Sequence, residues 1–217
     1  MAQPGDVVES LIFGARATFL ETAEQTGGEL LRVEVVLPPG FSVSEHVHPA
    51  QEERHKVVRG TLRARVGGQQ QDYGEGEVAV GPLGVPHAWS NPSDSENLCI
   101  VSEHRPALHM EELLEGGFTI ARDLQADKKG ALKHLLRLAV LLDDVKVDFY
   151  MTQAPAQVLL KMFAALAPVG RLLGYEPLQS KGRRGASITV VGGVAVGGGL
   201  LFLMLCMLWR RKRPHTN

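Results

Sequence analysis

From Ala17 to His104 the hydrophobic residues come in short runs, several alternating with polar ones, and glycine or proline turns separate them. Alternation with a period of two puts apolar side chains on one face of a strand and polar ones on the other, so this stretch predicts an all-β sandwich or barrel. ATFLETAEQ, TGG, ELLRVEVVL and PPG read as strand, turn, strand, turn. TLRARV and QQQDY flank Gly67-Gly68, a two-residue hairpin in which glycine supplies the positive φ angles, and GEVAVGP and NLCIVSEH read as two further strands. After Pro106 the period lengthens: LHMEELLEGG, GALKHLLRLAVLLDDV and PAQVLLKMFAALAPVGRLLG carry apolar residues at helical spacing and predict a helical extension. Within the last of these, Val158 to Val169 is apolar except for Lys161, too short to span a bilayer and expected to pack on the barrel, with an interfacial helix lying on the membrane as the alternative.

A third pattern follows. Gly185 to Trp209 contains no charged residue and lies between KGRR and RRKR. About 20 apolar residues are enough to cross the hydrocarbon core as a helix, so a transmembrane helix is expected here, with Trp209 at the interface. Gly193 and Gly197 form a GxxxG pair, with Ala195 and Gly199 repeating the small-residue spacing. The expected organisation is a β-barrel over 1–107, a helical extension over 108–178, a basic linker over 179–186, the transmembrane helix over 187–209 and a basic tail over 210–217. The first residues lack a basic segment followed by an apolar one, so no secretory signal is read. A single-pass C-terminal anchor with the barrel on the cytoplasmic side is the expectation.

Composition adds one distinction. With 44% hydrophobic and 22% charged residues the chain is ordinary globular material, and its formal net charge is -1. That balance hides an asymmetry: residues 1–170 hold 15 basic and 23 acidic side chains, a net of -8, and residues 171–217 hold 8 and 1, a net of +7. The basic residues gather beside the apolar segment, where lipid is the partner they imply, and nothing in the body suggests nucleic-acid binding. Cys99 in the body and Cys206 in the apolar segment make no disulfide framework.

The chemistry concentrates in GFSVSEHVHPAQEERHKVVRG, Gly40 to Gly60. His46 and His48 share one face of a strand, roughly 7 Å apart, and two imidazoles so placed converge on one ion at about 2.0–2.2 Å from each nitrogen. The chain then turns and EERHKVV returns Glu53, His55 and Val57 on a common face, while the turn PLGVP delivers His87 at the start of a later strand. Three imidazoles and a carboxylate suit a divalent transition metal, namely iron, manganese, nickel, zinc or copper, without choosing among them.

These two segments resemble the two signature motifs of the cupin superfamily. Gly40, His46, His48, Glu53 and Gly60 meet the first, and Gly76, Pro82, Gly84, His87 and Asn91 the second, with 15 residues between Gly60 and Gly76. The resemblance covers about residues 17–106. It implies an antiparallel jelly-roll β-barrel with His46, His48, Glu53 and His87 as metal ligands. Glu52 is the rival carboxylate, but only Glu53 stands six residues before Gly60. The resemblance also implies metal-dependent, dioxygenase-like oxidoreductase chemistry on a small organic substrate, or non-catalytic ligand binding by the same residues, and a possible homodimer formed through the sheets.

Other residues are read beside this set. His55 departs from the aromatic or apolar residue frequent at its position and is, with Glu53, a candidate acid or base lining the site. Trp89 shares a face with His87 as pocket wall or core, and of Glu103 and His104 at most one points inward. His109 and His134 are expected at the surface or at helix caps. The charge run DDVKVD, Asp143 to Asp148, is expected to be a solvated face.

Overall fold

The computed structural model describes residues 2–10 and 14–176. Its strands are β1 (Val7–Ser10), β2 (Ala15–Glu21), β3 (Leu31–Leu37), β4 (Ser42–Val47), β5 (Glu52–Arg59), β6 (Leu62–Val66), β7 (Gln69–Tyr73), β8 (Val78–Gly81), β9 (His87–Ser90), β10 (Leu98–Arg105) and β11 (Tyr150–Met151). The helices are α1 (Met110–Ala126), α2 (Ala131–Asp144) and α3 (Ala154–Leu172), with a short 3₁₀ turn at Lys128–Gly130.

All pairings are antiparallel and form two sheets, β1-β2-β3-β10-β5-β8 and β11-β4-β9-β6-β7. Period-two alternation sets which side chains enter the space between them. In β5, Glu53, His55 and Val57 are buried and Arg54 and Lys56 exposed; in β10, Ile100, Ser102 and His104 are buried. Leu62, Ala64, Val57, Ala79, Leu98, Ile100 and Trp89 form the apolar half of this interior. The β6–β7 hairpin turns at Gly67 and Gly68, with φ of 57° and 84°, left-handed values that glycine adopts without steric cost.

The helical extension has its own packing. Ile120 of α1 meets Leu141 of α2, and Ala139 of α2 meets Phe163 of α3. At Gly170 a Cβ would stand 2.8 Å from Val140 Cγ2 and 3.0 Å from the Leu136 carbonyl oxygen, so glycine is what lets α3 lie close against α2. The expectation that Val158–Val169 packs on the barrel is therefore corrected: the helix is held by α2, with only its start beside β11. The run Asp143–Asp148 is likewise not wholly solvated, because Asp148 is buried, and His134 is buried rather than at the surface. No helix among the described residues is long and apolar enough to cross a membrane, and the segment 187–209 with its linker and tail lies outside the described residues.

Asn91 locks the turn that precedes β10. Its buried Nδ2 donates to the carbonyls of Leu37, Pro38 and Glu96 at 3.2, 3.0 and 2.8 Å, and its Oδ1 accepts from the Ser93 amide at 3.1 Å. Removing the amide orphans the buried Leu37 carbonyl and leaves those of Pro38 and Glu96 without this donor, so Asn91→Ala is expected to lower stability by about 1–3 kcal/mol in chemical denaturation. An unchanged midpoint would show that this network does not hold the turn.

Candidate metal centre

The two sheets each bring half of the site. From the five-stranded sheet come His46 on β4, His48 directly after it, and His87 opening β9, with His46 and His87 paired across the ladder. From the six-stranded sheet come Glu53 and His55 on β5, opposite His104 and Ser102 on β10. Glu53 also faces Gly81 of β8, where a Cβ would lie 3.0 Å from the His87 ring and from Trp89, so the missing side chain makes room for both.

One candidate ligand atom from each of His46, His48, Glu53 and His87 can be chosen so that all four lie within 4.8 Å of one another, and no one of these residues is more than 6% exposed. Backbone carbonyls set the imidazoles. The Nδ1 atoms of His46, His48 and His87 lie 2.9, 3.0 and 2.7 Å from the carbonyl oxygens of Ser44, Asp148 and Val85. A carbonyl only accepts, so each Nδ1 carries a proton, and in the neutral ring each Nε2 presents a lone pair. Nε2 of His48 and of His87 is buried with no hydrogen-bond partner, an arrangement that a bound cation resolves.

Glu53 stands at the centre. Its Oε2 accepts a 2.7 Å hydrogen bond from Trp89 Nε1 and lies 3.2 Å from His87 Nε2 and 3.8 Å from His46 Nε2. Its Oε1 lies 3.3 Å from His55 Nε2 and 3.8 Å from His104 Nδ1. Atoms bound to one ion at about 2.1 Å in a tetrahedron sit roughly 3.4 Å apart, so the separations at Oε2 are those of a coordination sphere. Burial alone would raise the Glu53 pKa, but His55 beside it and the His46 and His87 rings packed against the same carboxylate hold it well below the usual carboxylate range. Burial also lowers His46, yet its hydrogen bond to Glu53 and that charge outweigh burial and leave its pKa raised. For His48 burial dominates, only partly offset by Glu53, and its pKa falls to about 4; His104 falls to about 4 for the same reason.

The four expected ligands thus come together, and His55 lies beside them with its Nδ1 2.7 Å from Ser102 Oγ. Glu52 pairs instead with Arg54 at 2.6 Å. Of Glu103 and His104 it is His104 that enters the interior. Trp89 is core and more: its indole N–H is a donor to the Glu53 carboxylate, which its face alone did not reveal. Ser102 and His104 carried a signal, the period-two spacing of the last strand. Asp148 carried none, because its contact with His48 joins residues 100 apart in sequence.

His48 and His104 take up protons on unfolding, since both sit near 4 when folded against an ordinary value of 6.5. Through these two groups the unfolded chain binds more protons across that window, so their contribution to stability is full above about pH 6.5 and declines as pH falls toward 4, while the raised His46 acts in the opposite sense. Thermal melts of metal-free protein are expected to drop over that range, and His104→Gln to drop less; parallel profiles would contradict the assignment of His104.

Residues 33–102 match the family model described as cupin domain, a stretch that contains all four candidate ligands. No curated protein sequence matches the chain. Similar solved structures include a predicted oxalate decarboxylase from Thermotoga maritima, 22% identical over 42% of this chain and 80% of that one, with a TM-score of 0.40. A second is an RmlC-like cupin from Shewanella frigidimarina, 21% identical over 46% and 83%, with a TM-score of 0.40. A third is recombinant oxalate oxidase in complex with glycolate, 24% identical over 44% and 52%, with a TM-score of 0.37. The paired antiparallel sheets and the complete motif residues agree with the cupin-domain match over residues 33–102.

Proposed function

We propose that this chain binds one divalent transition-metal ion through His46, His48, Glu53 and His87, acts with it on a small organic substrate, and is tethered to a membrane by residues 187–209. The observation that carries the metal is the convergence of Nε2 lone pairs on a buried carboxylate, with each Nδ1 fixed by a carbonyl. A bound ion of this ligand set supplies Lewis-acid polarisation of a substrate oxygen or, for iron, manganese or copper, redox chemistry. The chain's own groups hold the geometry: Trp89 orients Glu53, and His55, supported by Ser102, stands at its other oxygen, placed to hold or move a proton.

The tether reading rests on the uncharged stretch between two basic clusters and on the outer face of α3. Val158, Met162, Leu166, Val169 and Leu173 are all exposed there. At 100° per residue they fall in a stripe roughly 80° wide, the pattern of a helix that lies against a lipid surface. In sequence α3 ends shortly before KGRR and the apolar segment.

The metal reading is tested by plasma mass spectrometry of purified full chain. About one equivalent of a single transition metal is expected, lost in His46→Ala and His87→Ala; no metal after growth with, or reconstitution by, iron, manganese, nickel, copper and zinc contradicts it. Turnover of catechols, thiols or keto acids by the loaded protein would establish catalysis, whereas binding of such molecules without turnover would establish a non-enzymatic ligand module. For the tether, the full chain is expected to stay with membranes through an alkaline carbonate wash and deletion of 185–217 to release it. Release of the full chain by carbonate would contradict a spanning segment.

A further inference from the structure

Asp148 joins the helical extension to the metal centre. It is buried, between the end of α2 and β11, and three independent contacts meet on it. Its backbone carbonyl faces His48 Nδ1 at 3.0 Å. Its carboxylate Oδ2 accepts from the His109 amide and faces His109 Nδ1, both at 2.9 Å, at the entry to α1. Its own amide donates to the Val145 carbonyl at 3.0 Å. The carbonyl that orients one candidate ligand is therefore anchored, through its own side chain, to the first helix of the extension.

The residues that follow extend this contact along the ligand strand. Phe149 lies 6.1 Å from the His48 ring, Tyr150 pairs with Val47 and Met151 with His46. The Thr152 amide donates to the Glu45 carbonyl at 3.3 Å and its hydroxyl to Glu45 Oε1 at 2.7 Å. Strand β4, which carries His46 and ends just before His48, has two neighbours, β9 and this segment. If residues 145–152 leave, β4 becomes an edge and His48 loses the acceptor that fixes its tautomer.

We propose that Asp148 is a positioning residue for the metal centre, so that docking of residues 145–152 and loading of the ion at His48 form one equilibrium. This rests on the metal-binding reading above. Linkage is reciprocal: an ion that favours the docked, oriented His48 holds the segment down, and a segment that is held down raises affinity for the ion. Loss of a group that orients a ligand imidazole typically costs 10–100-fold in metal affinity.

The test is a Zn²⁺ titration against a competing chelator, with hydrogen exchange measured with and without Zn²⁺, on full-length wild type, Asp148→Ala, Asp148→Asn and His109→Ala. Asp148→Ala is expected to bind Zn²⁺ about 10–100-fold more weakly. Asp148→Asn keeps an acceptor for the His109 amide and is expected to recover most of that loss. His109→Ala, which alters an exposed side chain and supplies the readout if Asp148→Ala does not fold, is expected to lose affinity by a smaller factor. In wild type Zn²⁺ is expected to slow exchange at 145–152, and in Asp148→Ala to slow it only in the barrel strands. Wild-type affinity in Asp148→Ala and His109→Ala, or exchange at 145–152 indifferent to Zn²⁺ in wild type, overturns the proposal while leaving the metal site standing. Failure of wild type itself to bind the ion overturns both.

Discussion

A carboxylate buried between two β-sheets is the constraint around which this barrel is arranged. Left alone, Glu53 would lose its hydration without compensation, a cost of several kcal/mol that drives such groups to protonate or to find cationic partners. Here both sheets bring partners to it. Trp89 donates to one oxygen, His46 and His87 approach that same oxygen, and His55 and His104 approach the other. The inward polar cluster and the apolar layer of Leu62, Leu98 and Ile100 share one interior, so the strand register that buries the apolar side chains also delivers the imidazoles. A slip of one residue in β5 would turn Glu53 and His55 outward and Arg54 inward, exchanging the buried carboxylate for a cation.

The helical extension completes this barrel. Strand β11 covers the edge of β4, an edge that would otherwise expose unpaired amides and carbonyls beside the HxH pair. Helices α1 and α2 are tied by the Arg137–Asp123 ion pair at 2.7 Å, and α3 to the end of α2 by Arg171 with Asp143 and Asp144. The chain leading toward the basic linker thus leaves from a unit that also touches a candidate metal ligand.

Much of this was legible in the sequence because short-range periodicity carries it. Alternation in EERHKVV and NLCIVSEH placed Glu53, His55 and one of Glu103 and His104 inward, and the Gly67-Gly68 hairpin closed in the register its turn requires. The complete motif spacing marked the four candidate ligands that the fold brings together. What escaped depends on long-range packing. Helical spacing in PAQVLLKMFAALAPVGRLLG shows that a helix forms but not which neighbour receives it, and α2 rather than the barrel does so at Gly170. The charge of DDVKVD hid the fact that Asp148 has a backbone carbonyl as well as a carboxylate, and that both are used. Trp89 declared its face but not the direction of its N–H.

The most direct test of the central claim is X-ray absorption at the metal edge of the loaded full-length protein, read beside Glu53→Gln. A site built as described gives a first shell of nitrogen and oxygen near 2.0–2.2 Å, with outer-shell scattering from about three imidazoles and no sulfur. The Glu53→Gln spectrum would keep the imidazole scattering and lose the short oxygen. Sulfur in the first shell, scattering from one imidazole or none, or a spectrum unmoved by Glu53→Gln would show that the ion is held elsewhere and that the buried carboxylate is balanced by protons alone.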